Sequence, residues 1–207
     1  MTETRQPMND DVQTLKDDIA FIRALTEDSG SAMARDAMLL AAAGTIFGVT
    51  TFIYWLMFAG FVTLPGGDWL WIAASALFIV AMLIIRRGDT QHSIATRAMR
   101  AAWAGVGGGI IVAGVALAVG ATRLNLPVLA VGVFPIVLFT LYGAAWGVAS
   151  AVMRRGWFAL IAGGCFAAAV ACGWVLGTPA EWLVLSGGLF VLVAAPGAFI
   201  AWQARAA

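Results

Sequence analysis

Apolar residues occur in six long runs separated by short polar stretches. The runs cover 37–62, 69–85, 101–121, 126–152, 157–176 and 182–202, and none contains Asp, Glu, Lys, Arg or His. About 20 residues of helix cross a bilayer core of about 30 Å, and a backbone in hydrocarbon must satisfy its own hydrogen bonds. The pattern therefore predicts an all-α membrane domain at 37–202. We interpret it as a six-transmembrane-helix bundle of three helical hairpins, followed by a short tail at 203–207.

The first 36 residues follow a different pattern. Apolar side chains recur there at spacings of three and four, which place them on one face of a helix. The stripe consists of Val12, Leu15, Ile19, Ile22 and Leu25. Asn9 or Asp10 suits the N-cap of this helix, and Ser29-Gly30 suits its end. We predict an amphipathic helix at about 10–28 within a polar head at 1–36.

Composition indicates a membrane protein, and the distribution of basic residues predicts its orientation in the membrane. Hydrophobic residues make up 62% of the chain and charged residues 11%, against roughly 25% charged in soluble domains. Of the 12 basic residues, all but Arg123 fall before span one, after spans two, four or six, or before span three. Because basic residues collect on the cytoplasmic side, the head, the tail and both termini are expected in the cytoplasm. The layout predicts a multi-pass membrane protein.

The charge of the head bears on what the head binds. Residues 1–36 carry eight acids and four bases, whereas helices that lie on anionic lipid usually have a basic polar face. The predicted inner loops are basic, through Arg86, Arg87, Arg97, Arg100, Arg154 and Arg155. Three alternatives stay open: the head binds a cytosolic protein, docks on these loops, or packs as a short membrane-proximal helix on its own bundle.

Small residues and prolines mark features inside the spans. Small residues four apart lie on one helix face, where two backbones can approach closely. Such pairs are Gly44 with Gly48, Gly105 with Gly109, and Gly143 with Gly147. We interpret them as packing within the bundle, with a homo-oligomer interface as the alternative. Pro135 and Pro196 lie inside predicted spans, where each is expected to kink its helix.

The sequence contains few candidate catalytic or metal-binding residues. The polar residues in the spans are hydroxyls, which are expected to bond to carbonyls one turn back. Cys165 and Cys172 are too far apart along one helix for a disulfide, and His92 lacks a partner nucleophile or paired carboxylate. Neither a nucleotide-binding nor a nucleophile-elbow motif occurs. We therefore predict no enzymatic activity, no catalytic residue, no cofactor, no metal and no direct nucleic-acid binding.

The head resembles a known group of proteins. Its matching residues are Asp17, Asp18, Ile19, Phe21, Arg23, Ala24, Leu25 and Glu27, in DDIAFIRALTEDSG. This pattern is similar to the acidic amphipathic head of small, uncharacterised bacterial multi-span membrane proteins found beside winged-helix transcriptional regulators. Asp28-Ser29 departs from the glycine that tends to follow the acid in that group. The resemblance implies no catalytic residue, and it implies a cytosolic DNA-binding partner held or released at the membrane.

Two hypotheses for function follow from the sequence. The first is a non-enzymatic integral membrane protein that binds or regulates a cytosolic protein through its N-terminal helix and basic inner loops. The second is a small transporter or channel for an uncharged or apolar solute. Its path would be lined by hydroxyls and bent at Pro135 and Pro196. In either case the lipid bilayer is the immediate partner.

Overall fold

The computed structural model describes residues 34–65, 67, 69–87, 94–126 and 132–206, with only the backbone described for 94–100, 205 and 206. Helix accounts for 87% of these residues, and there is no strand among them. The all-helical class predicted from the apolar runs is therefore confirmed. Most of the head, residues 1–33 with the predicted amphipathic helix, lies outside the described residues.

The helices follow the apolar runs closely. In chain order they are α1 (Ala34–Phe58), α2 (Trp69–Ile85), α3 (Ile94–Leu124), α4 (Val133–Met153), α5 (Gly156–Trp174), α6 (Ala180–Leu189) and α7 (Ala195–Ala206). A π-helical turn, Phe190–Ala194, joins α6 to α7 without a break. Ala180–Ala204 therefore forms one continuous apolar segment, named here the last span.

Five described helical segments are long and apolar enough to cross a membrane. They are Ala34–Phe58, Ala101–Leu124, Val133–Met153, Gly156–Trp174 and Ala180–Ala204. At 17 residues, α2 is also apolar but shorter. These segments define a multi-pass membrane protein.

Two element boundaries differ from the predicted ones. Leu126, where one predicted run begins, is not helical, and the next described helix is Val133–Met153. Asn125, with φ 54°, adopts the left-handed conformation just after α3. At its other end α3 begins at Ile94 rather than at 101. Arg97 and Arg100 therefore lie on the first two turns of α3 and not in a loop. Hydropathy missed those turns because the arginines interrupt the apolar run.

Contacts between helices show the direction in which neighbouring helices run. Helix α1 is antiparallel both to the last span and to α2. In α1, Gly44 faces Ala194 and Gly48 faces Phe190, so α1 and the last span run in opposite directions. The rings of Phe47 and Phe78 are 5.7 Å apart, and those of Tyr54 and Trp71 are also 5.7 Å apart. These pairs set α2 antiparallel to α1.

The same register holds through the rest of the chain. Gly109 packs on Leu141, and Gly114 packs on Phe134, between α3 and α4. Gly143 packs on the Phe166 ring, and Gly173 contacts Ile136, between α4 and α5. Gly164 packs on Leu192, between α5 and the last span. The bundle therefore has two ends, and α1 begins at the end where α2 and α4 finish.

Two buried clusters form the core. The first lies near the end where α1 begins and includes Ala37, Trp146, Ala149, Phe158 and Ile200. The second lies further along the bundle and joins α4, α5 and the last span. Its buried members are Leu138, Phe139, Ala169, Cys172, Leu185, Leu189 and Val193. Each cluster therefore ties together helices that are distant in sequence.

Large apolar side chains cover the outside of the bundle. Ile72 of α2 is 72% exposed and Leu160 of α5 is 79% exposed. Ile111 and Val112 of α3 are similarly open. Exposed apolar surface on every side of a helical bundle is what a lipid environment accommodates, which agrees with the assignment to a membrane.

Candidate functional site

One end of the bundle carries most of the arginines whose side chains are described. We name it the basic end. Arg35 is the second residue of α1, Arg86 and Arg87 follow α2, and Arg154 and Arg155 join α4 to α5. The last four are exposed. The remaining arginine with a described side chain, Arg123, lies near the end of α3 at the opposite end.

The Arg154–Arg155 turn is sharply folded. Arg154 adopts the left-handed conformation with φ 53° and ψ 34°, and Arg155 is extended. The Arg155 carbonyl accepts from the Phe158 N–H at 3.1 Å and from Ser150 Oγ at 3.3 Å. A left-handed residue with a Cβ costs roughly 1–2 kcal/mol. The turn thus holds two exposed arginines side by side, with Phe158 and Trp146 buried beside it.

The start of α1 lies in the middle of the basic end. Ala37 is 3% exposed and shares a cluster with Ala149 of α4 and Phe158 of α5. On its other side α1 packs along α2, which finishes just before Arg86. The segment 1–33 therefore joins the bundle between the arginines after α2 and those between α4 and α5.

The predicted packing glycines fall into two groups. Gly44 and Gly48 contact the last span so closely that a Cβ on Gly44 would lie 2.8 Å from Ala194 Cα, and one on Gly48 would lie 3.1 Å from the Phe190 ring. A Cβ on Gly143 would lie 2.7 Å from the Phe166 ring. Within the described part of the chain, Gly105 and Gly147 have nothing within 4 Å of a Cβ. Gly109 meets Leu141 at an ordinary 3.6 Å.

The two prolines occupy different settings. Pro135 is the third residue of α4, in the first turn, where a helix has no partner for a backbone N–H. A kink at Pro135 stays a prediction, because residues 127–131, which precede this turn, lie outside the described part of the chain. Pro196 is the second residue after the π-helical turn, at whose end the Ala195 N–H donates to the Phe190 carbonyl. The wider turn accommodates a residue that has no N–H to donate.

Three hydroxyl groups in the spans bond to carbonyls one turn back in their own helices, as predicted. Thr50 donates to the Ile46 carbonyl at 2.8 Å, Thr51 to that of Phe47 at 2.9 Å, and Thr140 to that of Ile136 at 2.8 Å. Ser186 is different, because its Oγ donates to the Gly48 carbonyl of α1 at 2.9 Å. The protons of these four hydroxyl groups are therefore engaged in hydrogen bonds within or between helices.

Sequence reasoning missed a buried carboxyl group at the opposite end. Glu181 is 4% exposed and lies in the first turn of α6, because this helix begins at Ala180, two residues before the predicted span. Its Oε2 accepts from the Gly177 N–H at 2.9 Å, and its Oε1 has no partner among the described residues. Glu181 lies just outside the predicted run 182–202 but inside the helix that contains it. The negative side chain at a helix N-terminus was the available signal.

Aromatic rings fill the opposite end near Glu181. Trp182 stacks on Tyr54 at 4.9 Å and on Phe58 at 5.7 Å. The Tyr54 hydroxyl donates to the Gly67 carbonyl at 2.8 Å. A cavity of about 270 Å³ is lined by Tyr54, Met57, Phe58 and Gly67. This lining is mostly apolar, which suits a membrane-interface cluster.

The cysteines are buried and unlinked. Cys165 and Cys172 are each 0% exposed, and both are free thiols. Across the described residues, no group of three or more His, Cys, Asp or Glu side chains is placed to hold a metal ion.

Comparisons of this chain with protein families, with curated proteins and with solved structures found no match.

Proposed function

We propose that this chain is a non-enzymatic protein of a bacterial inner membrane that binds a cytosolic protein. The binding surface comprises the stripe of the head (Val12, Leu15, Ile19, Ile22 and Leu25) together with the arginines of the basic end. The observation that carries the proposal is that the head joins the bundle at Ala34, at the same end as Arg86, Arg87, Arg154 and Arg155. An apolar stripe and a set of exposed cations therefore meet on one side of the membrane.

In this proposal the chain crosses the membrane six times, and α2 is the second crossing helix. At 1.5 Å per residue its 17 residues span about 26 Å, which is near the bilayer core of about 30 Å. Trp69 and Trp71 lie at one end of α2 and Arg86 and Arg87 at the other. Interfacial aromatic residues and flanking cations are typical of a crossing helix.

The orientation follows from the distribution of charge. Five arginines with described side chains lie at the basic end, against Arg123 at the opposite end. Because cationic residues stay on the cytoplasmic side, the basic end faces the cytoplasm. Six crossings then return the C-terminus to the cytoplasm, so both termini lie on the side where a cytosolic partner is present.

A protein partner fits the head better than a lipid surface does. Residues 1–36 carry eight acids and four bases, and an excess of negative charge is repelled by anionic lipid headgroups. A narrow apolar stripe at helical spacing is suited to a hydrophobic groove on another protein. The resemblance of the head to proteins found beside winged-helix regulators favours a regulator as that partner. The proposal includes no cofactor and no direct contact with nucleic acid.

The test is capture of a defined partner by the full-length protein in nanodiscs. The probe is a winged-helix transcriptional regulator from the same organism, purified and added in solution. Ile19→Asp with Ile22→Asp should abolish capture by placing charge on the stripe. The matched control, Gln13→Asp with Ala24→Asp, adds the same charge to the opposite side of the predicted helix and should preserve capture.

Two outcomes would count against the proposed function. One is that the wild-type protein captures no such regulator. The other is that capture persists in the stripe variant, or falls equally in the stripe variant and the control. Insertion of every variant into the membrane is verified beforehand, so that loss of capture is not loss of protein.

A further inference from the structure

We propose that the head segment 1–33, when no partner holds it, lies across the basic end of its own bundle. Its acidic residues would pair there with Arg154 and Arg155 on one side and with Arg86 and Arg87 on the other. A cytosolic partner would then compete with the bundle for the head. This inference deepens the proposed function, because it supplies a resting state for the same binding segment.

The geometry places the attachment point between the two arginine pairs. Ala34 begins α1, α1 packs on α2 through Phe47 and Phe78, and Ala37 shares a cluster with Ala149 and Phe158. The ends of α2 and of α4 therefore flank the start of α1. All four arginines are exposed, so their guanidinium groups are accessible to an acidic segment.

The charges of the two surfaces are opposite. Residues 1–33 contain seven acids and three bases, which gives a net side-chain charge of −4. The acids are Glu3, Asp10, Asp11, Asp17, Asp18, Glu27 and Asp28. One exposed ion pair contributes only about 0.2–1 kcal/mol. Several pairs on one tethered segment act together, because a short tether gives an effective concentration on the order of millimolar.

The head is long enough to reach both pairs. Neighbouring packed helices are about 8–10 Å apart, and α1 separates the end of α2 from the α4–α5 turn. The two pairs are then roughly 20 Å apart by that spacing. A helix at about 10–28 would be about 28 Å long at 1.5 Å per residue. One helix lying across the basic end could therefore approach both pairs.

The experiment measures the distance from the head to the bundle in the full-length protein. Nitroxide labels are placed at Thr14→Cys in the head and at Val152→Cys, which is 52% exposed on α4. The native cysteines are fully buried, which confines labelling to the introduced positions. Pulsed electron paramagnetic resonance in zwitterionic nanodiscs should give a short, narrow distance distribution.

Charge variants separate docking from chance proximity. Arg154→Glu with Arg155→Glu should abolish the narrow component, and Asp17→Arg with Asp18→Arg in that background should restore it. Arg123→Glu, the same change at the opposite end, should leave the distribution unchanged. If charge reversal disturbs folding, Arg154→Gln with Arg155→Gln gives the same loss without adding negative charge. High salt should also release the head, because exposed ion pairs are screened.

Several results would overturn the inference. A broad distribution in the wild-type protein would do so, as would a narrow distribution that is indifferent to Arg154 and Arg155. A narrow component that appears only in anionic nanodiscs would assign the head to lipid. One that disappears on dilution with unlabelled chain would assign it to a second copy. Docking is measured by the distance between the two labels, and partner capture is measured by binding of the regulator. The failure of one is therefore distinguishable from the failure of the other.

Discussion

At the residue scale, Gly44 shows how closely α1 approaches the last span. A Cβ there would overlap the backbone nitrogen of Ala194 and lie 2.8 Å from its Cα. Backbone atoms cannot yield as a flexible side chain can. We expect Gly44→Ala to destabilise the bundle by about 1–3 kcal/mol, the usual range for overpacking, as measured by unfolding in detergent.

Gly105 provides the matched control for Gly44. No described atom lies within 4 Å of a Cβ at this position, so Gly105→Ala should be neutral or stabilise helix α3 by up to about 1 kcal/mol. Equal destabilisation by the two substitutions would show that Gly44 is not a close-packing position.

A second prediction concerns the hydrogen bond between helices at Ser186. Its Oγ donates to the Gly48 carbonyl at 2.9 Å in a buried position. Ser186→Ala should destabilise the bundle by about 0.6 kcal/mol, and by no more than about 1.7, which is the measured range for such bonds in membranes. Thr140→Val removes an exposed hydroxyl that bonds within its own helix, and it should change the unfolding free energy less. The prediction fails if the Thr140 variant is equally affected.

A third prediction concerns Arg154, which has a left-handed backbone with φ 53°. Glycine adopts this conformation without the Cβ clash, so Arg154→Gly should raise the unfolding free energy by up to about 1 kcal/mol. Arg155 is extended, and Arg155→Gly should give no such gain. A loss of stability in Arg154→Gly would show that the arginine side chain contributes more than its backbone costs.

At the element scale, hydrophobic runs predict helices well but predict local irregularities poorly. The run at 69–85 coincides with α2, and the run at 157–176 nearly coincides with α5. Hydropathy alone could not decide the role of Pro135, because a proline is compatible with a first turn as well as with a kink. It also missed Glu181, since an apolar run was taken to end at a charged residue. The π-helical turn was also not predicted, because apolar periodicity does not encode a local change in helix type.

A fourth prediction tests whether α2 crosses the membrane. If it does, Leu64→Cys before α2 and Arg87→Cys after it must lie on opposite sides. In intact cells a membrane-impermeant thiol reagent should label the first and not the second, and both should react after permeabilisation. Reaction at both positions in intact cells would remove α2 from the set of crossing helices.

At the scale of the whole molecule, the two ends of the bundle differ in chemistry. The basic end gathers exposed arginines around the start of α1, whereas the opposite end gathers aromatic rings and buried Glu181. The arginine positions predicted the basic end, but Glu181 and the aromatic cluster of the opposite end were not predicted. The placement of α1 between the two arginine pairs required tertiary contacts. The stripe of the head remains a prediction, because residues 1–33 lie outside the described part of the chain.

Binding of a cytosolic partner requires that the basic end faces the cytoplasm, and one measurement tests this orientation directly. Gly156 is exposed beside the Arg154–Arg155 turn, with open space around a Cβ. A single cysteine can therefore be introduced there with little disturbance, and Cys165 and Cys172 are fully buried. Gly156→Cys in intact cells should resist a membrane-impermeant thiol reagent and react fully once the membrane is permeabilised. Labelling in intact cells would place the arginines and the head outside, and would contradict binding to a cytosolic protein.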